Sequence, residues 1–342
     1  MKIWIDFLTP KQLLFFEPLI KRLNKKHQLL CTTRDYREAK ELARIRKLDV
    51  KIVGHHGGSR KEDKLLANIE RMNNLFKLLQ KFKPDLTLSF CTPDAARMSF
   101  GLGIRHIAFS NSPHHEKVMK LTVPLVDKLL IPKHIPKKDF TKYGIDSKNI
   151  VQYNSMDEYL IVKGQTFHNT VPKIHFKKKK TILFRTYEVQ AAYPSRKVDT
   201  IAIVKKMATE FPDFNILVLG RYYDEIKSLK KKLGKRIIVF DQVVDSGEIL
   251  SLCDVFIGSG GTMTTEAVLR GVPTLSYNGV PNRDEEYLVK LGILPRAESL
   301  SKIVKVTHKL LNSDRKKLES KTKKLLNSMD NPHDKLFQVI KL

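Results

Sequence analysis

The sequence predicts an α/β chain of two doubly wound domains, each a mainly parallel sheet with helices on both faces. Three observations carry that prediction. At 342 residues the chain exceeds the roughly 250–300 at which a single hydrophobic core stops growing. Short apolar runs alternate with helical periodicity, the pattern of strand–helix–strand units. The alternation lapses once, over residues 132–180, and then resumes.

In the first block the strands are expected at 2–7, 28–33, 50–53, 85–90, 105–109 and 127–131. Thr9 suits an N-cap, Pro10 the first helical position and Gln12 the third, so a capped helix follows strand one directly. Right-handed crossovers then wind helices onto both faces and leave a ligand crevice at the carboxyl ends of the strands. Pro132, Pro136, Gly144, Gly164, Pro172 and the run Lys177 to Lys180 interrupt the pattern and mark an interdomain region. Strands resume at 181–184, 214–219, 236–239, 254–257 and 273–276, followed by mostly helical sequence. The organisation expected is a first domain over 1–160, a linker over 161–180, a second domain over 181–330 and a closing helix over 331–342.

Apolar residues at 42% and charged residues at 29% exclude a disordered chain. The formal charge of +27 is spread evenly: residues 1–160 carry 30 Lys and Arg against 17 Asp and Glu, residues 161–342 carry 33 against 19. Such a surface favours anionic ligands without choosing among nucleotide, polynucleotide and acidic lipid, and most single lysines need no ligand at all. Cys31, Cys91 and Cys253 stand apart with no CxxC pairing, which argues against a disulfide framework or zinc module and for a reducing compartment. No stretch approaches the ~18 apolar residues of a membrane span, and the first residues do not read as a signal peptide. A cytoplasmic protein is expected, with peripheral contact at the anionic inner face of the membrane allowed by the basic surface.

The most informative segment runs Asp254-Val255-Phe256-Ile257-Gly258-Ser259-Gly260-Gly261-Thr262, continues through Met263 to Arg270, and stops at Gly271-Val272-Pro273. It reads as strand, glycine turn, helix, glycine cap and strand. Glycines let the backbone approach a ligand, and the first N–H groups of the helix favour phosphate, so Gly260, Gly261 and Thr262 are the phosphate candidates. Glu266 lies one turn on, where a neutral partner suits it better than a phosphate; a ribose diol offers two donors. A tight structural turn with a solvated Glu is the plain alternative.

The run Gly258 to Pro273 resembles the nucleotide-sugar motif shared by the lipid II-forming GlcNAc transferase and the UDP-GlcNAc 2-epimerase. More closely, Trp4-Ile5-Asp6, Leu8 to Gln12, His56-Gly57-Gly58, Tyr153-Asn154 and Gly260 to Met263 resemble a mostly archaeal family labelled a domain of unknown function and related to these enzymes. The resemblance spans nearly the whole chain. It implies the GT-B fold, two Rossmann-like domains facing each other across a cleft, with a UDP-sugar such as UDP-GlcNAc whose phosphate meets the glycines and whose ribose meets Glu266. The glycine-rich loop that follows strand one in the lipid II-forming transferase is replaced here by Leu8-Thr9-Pro10-Lys11, so acceptor handling differs.

Arg185 and Arg221 follow the first two strands of the second domain and suit a diphosphate, with Glu188 as an alternative structural partner for Arg185. In the first domain, Asp6, His56 and His115 end or follow strands one, three and five, and an inverting transferase needs such a group to deprotonate its acceptor. Asp6 and His56 lead and His115 is the reserve, each with a structural role as the commoner alternative. There is no DxD or HExxH, so leaving-group stabilisation without metal and without a cofactor is expected. The activity expected is transfer of a hexosyl or N-acetylhexosaminyl group to a lipid- or polysaccharide-linked acceptor. A nucleotide-sugar 2-epimerase and a non-catalytic anion- or RNA-binding protein are the alternatives. Residues 251–300 hold 4 Lys and Arg against 6 Asp and Glu, which separates the motif from the basic surface and disfavours nucleic acid as partner.

Overall fold

The computed structural model describes residues 1–58, 60–164, 170–172, 176, 178, 180–187, 199–277 and 280–341. Glu188, Ser59, Lys177 and Lys179 lie outside them. The chain divides into two compact units, Met1–Gly164 with Met329–Leu342, and Gln165–Ser328.

The first unit contains β1 (Lys2–Asp6), α1 (Pro10–Leu23), β2 (Gln28–Asp35), α2 (Arg37–Ile45), β3 (Lys51–His55), α3 (Lys61–Phe82), β4 (Leu86–Ser89), α4 (Pro93–Leu102), β5 (Arg105–Phe109), α5 (Glu116–Thr122), β6 (Lys128–Pro132), α6 (Lys138–Thr141), β7 (Ile150–Tyr153) and α7 (Glu158–Lys163). Its seven strands run parallel in the order β3-β2-β1-β4-β5-β6-β7. β1 and β4 are buried along nearly their whole length, as strands covered on both faces must be. Helix α1 starts where the sequence places it. Thr9 Oγ1 accepts from the Gln12 N–H at 3.4 Å, but the Gln12 side-chain Oε1 accepts from the Leu8 N–H at 2.6 Å, one residue earlier than a regular capping box. The helix buries Phe15 and Phe16, and Phe15 meets Phe109 edge-on at 4.9 Å.

The interdomain expectation for 132–180 needs correction. Strand β7 lies inside that region and completes the first sheet, pairing Leu129 with Ile150 and Pro132 with Tyr153. Four residues bounded by turns are too short to show a period, and Pro132, Pro136 and Gly144 punctuate the helical turn leading to the strand.

The second unit contains β8 (Lys180–Arg185), α8 (Thr200–Glu210), β9 (Phe214–Leu219), α9 (Tyr223–Leu233), β10 (Ile238–Phe240), α10 (Ser246–Leu250), β11 (Val255–Gly258), α11 (Thr262–Leu269), β12 (Thr274–Tyr277), α12 (Arg283–Lys290), the two-residue β13 (Arg296–Ala297), α13 (Leu300–Leu311) and α14 (Arg315–Asn327). Its parallel order is β10-β9-β8-β11-β12-β13. The last helix, α15 (Pro332–Ile340), returns to the first unit. There Leu336 and Ile340 join the core, His333 meets the Phe15 ring edge-on at 5.1 Å, and the Arg22 guanidinium sits 3.9 Å above the Phe337 ring.

Each sheet reverses direction beside its first strand, between β1 and β4 in one unit and between β8 and β11 in the other. Open α/β sheets bind ligands at the carboxyl ends of such switch points. No helix among the described residues is long and apolar enough to cross a membrane.

Candidate functional site

In the second unit the switch point carries the glycine turn. Continuing the β8–β11 register by one residue from Ile257 opposite Phe184 sets Gly258 beside Arg185. A Cβ on Gly258 would lie 2.4 Å from Thr264 Oγ1 and 2.6 Å from the Phe256 ring, so the strand end and the first turn of α11 touch only because this residue has no side chain. Gly260 and Gly261 take φ of +81° and +77°, the left-handed region. Gly261 is the N-cap of α11, with open space where a Cβ would point; Thr264 and Thr265 both donate their N–H to its carbonyl at 3.1 Å. The first amides of a helix have no acceptor within it, so this turn presents donors and a positive dipole end to whatever lies above it.

A second helix start adjoins the turn. Asn282 caps α12, its side-chain oxygen accepting from the Glu285 N–H at 2.9 Å, while its Nδ2 donates to Glu285 Oε2 at 3.3 Å. Glu285 Oε2 lies 3.0 Å from the Cβ position of Gly260, and Arg296 Nε stands 3.2 Å from Glu285 Oε1. Burial raises the Glu285 pKa, with Ser276 and Arg296 opposing. Sequence reasoning did not single out Asn282, Glu285 or Arg296. A cap residue followed by Glu three positions on, directly after β12, was the signal that could have found the first two.

Glu266 departs from expectation. It is 1% exposed, and its partner is a cation rather than a neutral group: Arg270 Nε donates to Oε1 at 3.0 Å, with Nη2 at the same distance. Burial raises its pKa while Arg270 and Ser246 pull it down. The i,i+4 spacing that suggested a ligand one turn on equally suits an internal ion pair.

Arg185 and Arg221 both sit at the carboxyl edge, where they tie adjacent loops together. Arg185 Nη1 donates to the Gly220 carbonyl at 3.1 Å and Arg221 Nε to the Thr186 carbonyl at 3.1 Å. Arg185 ends β8, beside the glycine turn; Arg221 follows β9, one strand farther away.

In the first unit the switch point is occupied by a buried network. Asp6 is fully buried. Its Oδ1 accepts from Arg71 Nη2 at 2.6 Å and Thr32 Oγ1 at 2.5 Å, its Oδ2 from Thr92 Oγ1 at 2.8 Å, and Arg71 also bonds Asp94. A carboxylate so enclosed and so fully paired holds strand ends in place; it does not present itself as a general base, which corrects the reading of Asp6.

His56 and His115 fall on opposite sides of that network. Strands β3 and β5 are four sheet intervals apart, about 19 Å at the usual strand spacing, so the two histidines do not serve one reacting atom. His56 accepts from the Gly58 N–H on Nδ1 at 3.1 Å and lies against Tyr36 with ring centroids 5.3 Å apart. His115 caps α5 beside His114, ring centroids 4.3 Å apart. Burial, then His114 and Lys11, lower its pKa to about 4, so its imidazole is neutral at neutral pH.

On the His115 side stands a group whose roles the sequence did not show. Lys11 Nζ, in the first turn of α1, contacts Asp157 Oδ2 at 2.8 Å and Glu158 Oε1 at 3.5 Å and lies 5.0 Å over the Phe90 ring. Tyr153 donates to Asp157 Oδ1 at 2.5 Å. Lys11 and Tyr153 belong to the segments that carry the family resemblance, and the fold joins them through Asp157. Among the described residues no three His, Cys, Asp or Glu side chains are grouped to hold a metal ion.

The comparisons fit this architecture. The family described as "Protein of unknown function (DUF354)" matches residues 1–341. A relative from Methanocaldococcus jannaschii, "Uncharacterized protein MJ0665", is 27% identical over 284 residues, 81% of each chain. Among solved structures, the UDP-GlcNAc 2-epimerase of Neisseria meningitidis bound to UDP-GlcNAc aligns over 100% of both chains at 15% identity, with a TM-score of 0.76. The UDP-GlcNAc 2-epimerase of M. jannaschii, in complex with UDP-GlcNAc and UDP, aligns over 92% of this chain and 94% of its own at 18% identity, TM-score 0.70. The glycosyltransferase of kitacinnamycin aligns over 97% of each chain at 13% identity, TM-score 0.66. At these identities the likeness establishes the GT-B fold of two Rossmann-like sheets.

Proposed function

The chain belongs to the DUF354 family, and on that premise we propose that it binds a UDP-sugar of the UDP-GlcNAc type on the second unit and transfers the sugar to an acceptor without a metal ion or other cofactor. The observation that carries this reading is the pair of left-handed glycines, Gly260 and Gly261, in the turn between β11 and α11 at the switch point. The diphosphate is assigned to the amides of Gly260, Gly261 and Thr262 with Arg185 beside them, and Arg221 as a more distant cation. Helix dipole and guanidinium then take the charge of the departing UDP. The ribose is assigned to Glu266, which must exchange part of its Arg270 contact for the diol.

Transfer breaks the bond between the sugar C1 and the β-phosphate oxygen, forms a bond from C1 to the acceptor oxygen and passes the acceptor's proton to a base. We assign acceptor and proton handling to the first unit, to His115 with Lys11, Asp157 and Glu158; His56 is retained as a contact at the far end of that sheet edge. The acceptor is taken to be lipid- or polysaccharide-linked, with the basic surface suited to an anionic membrane.

A nucleotide-sugar 2-epimerase is a second reading, favoured by the epimerases among the structural likenesses. Titration calorimetry with UDP, UDP-GlcNAc, ADP and GDP on the wild type and Glu266→Gln tests the shared premise. Uridine-selective binding, weakened in the variant, supports it. Absence of any nucleotide binding by folded protein, with steeply salt-dependent binding of RNA, replaces it with the anion-binding alternative. Incubation with UDP-GlcNAc alone separates the two enzymes, since only an epimerase converts it without an acceptor.

A further inference from the structure

At the carboxyl edge of the first sheet a second arginine stands beside the network of Asp6, Arg71 and Asp94. Arg34 is the penultimate residue of β2, which pairs with β1 and so adjoins the switch point. The β2–β3 ladder slips here: Thr33 pairs with Ile52 but Asp35 with His55, which leaves Val53 and Gly54 together opposite Arg34. Gly54 takes φ +72°, and a Cβ on it would lie 2.8 Å from Arg71 Cβ, while the Val53 carbonyl accepts from Arg71 Nε at 3.0 Å. A bulge is rare between parallel strands, and bulges often re-aim a side chain beside a functional site.

The side chain at this bulge is a cation with unused donors. Asp6 and Asp94 are bonded by Arg71, Thr32, Thr92 and Asn68, so their pairing does not need Arg34. Among the described residues no carboxylate forms an ion pair with Arg34, and its buried Nε has no acceptor. Its guanidinium carbon lies 5.8 Å over the Tyr36 ring, and the His56 ring braces Tyr36 at 5.3 Å between centroids. Burial, then Arg71, lower the Arg34 pKa, with Asp94, Tyr36 and Asp6 opposing. A guanidinium stays charged all the same, and a partly desolvated fork of this kind is matched by an oxyanion that accepts two parallel hydrogen bonds.

We propose that Arg34, supported by Tyr36 and His56, binds an oxyanionic group of the acceptor, a phosphate or a carboxylate. Giving that anion to the acceptor rests on the transfer reading above; the anion site itself does not. Strand β5, which His115 follows, is three sheet intervals from β2, about 14 Å at the usual strand spacing. Arg34 therefore serves recognition and not proton transfer.

The test is dicarbonyl modification of arginine on the full chain, read by peptide mass spectrometry in chloride, phosphate or acetate at equal ionic strength. Arg34 is expected to react in chloride and to be protected several-fold by an oxyanion, while Arg60, its side chain 73% exposed, reacts equally in all three. Stronger protection by phosphate assigns a phosphoryl group, and stronger protection by acetate a carboxylate. Thermal melts give a second readout: the protecting anion should raise the melting temperature of the wild type more than that of Arg34→Gln, with Arg34→Lys between them. Equal labelling of Arg34 in all three salts overturns the proposal. Should Arg34 be unreactive in chloride, equal anion-dependent stabilisation of wild type and Arg34→Gln overturns it instead. Protection of Arg34 in a wild type that binds no UDP leaves the anion site and removes the transfer reading; UDP binding without protection does the reverse.

Discussion

Arg71 donates from Nη2 to Asp6 Oδ1 at 2.6 Å, with neither side chain more than 2% exposed, and so joins the middle of α3 to the end of β1 across 65 residues of chain. Neutralising Asp6 removes one of the two carboxylates that compensate the buried guanidinium and leaves Asp94 as its counter-ion, at a cost of up to about 3 kcal/mol. Asp6→Asn is therefore expected to lower stability by that amount in urea unfolding. UDP affinity of the folded fraction should be unchanged, because the second unit has its own switch point.

Gly261 and Gly258 separate backbone strain from steric collision. Gly261→Ala meets no neighbour but places a side chain at φ +77° and ψ −168°, a region essentially reserved for glycine, costing about 1–3 kcal/mol. Gly258→Ala drives a methyl into Thr264 and Phe256 and should cost more. Thermal melts should rank Gly258→Ala as the more damaging. Calorimetry should find UDP binding weakened at least tenfold in Gly261→Ala.

The two arginines should differ. Arg185→Ala is expected to weaken UDP binding more than Arg221→Ala, by roughly the 1.5–3 kcal/mol of a charge-assisted hydrogen bond. Equal losses, or a larger one for Arg221→Ala, would displace the diphosphate from the position assigned to it.

His333 gives a pH signature. Burial lowers its pKa to about 3, against 6.5 when unfolded. Between those values the unfolded chain binds a proton that the native chain does not, so its contribution to stability falls as pH falls from 6.5 and is constant above. In His333→Phe that contribution vanishes. The variant should gain stability relative to the wild type as pH is lowered through this window, whatever their offset at pH 7. His106 and His115, also lowered by burial, titrate in both proteins and cancel in the comparison. Urea unfolding at several pH values reads the difference directly.

Much of this arrangement is legible in the residues. Strand positions shifted by only one or two residues, because runs buried on both faces are continuous and apolar. The glycine turn could be read because left-handed backbone demands glycine and leaves a mark in residue type. What could not be read depends on distant partners. Asp6 resembled an exposed acid at a strand end because Arg71 lies inside a helix 65 residues on. Glu285 reaches Gly260 only because β12 lies beside β11. Arg270 claims Glu266 by the same one-turn spacing that would serve a ligand. Lys11 gains its role from Asp157 and Glu158, which lie inside the same Pro- and Gly-punctuated stretch that concealed β7.

The return of α15 has a consequence for biosynthesis. Leu336 and Ile340 belong to the first unit's core yet are synthesised only after the whole of the second unit. The second unit is continuous in sequence and can close while translation proceeds, whereas the first unit must wait for residues that follow the second. Domains usually fold in the order of their synthesis. Here all seven strands of the first sheet precede the second unit, but their core stays uncovered until α15 emerges, and a nascent chain truncated before residue 332 would carry an open apolar face over Phe15 and Phe109 for quality control to recognise.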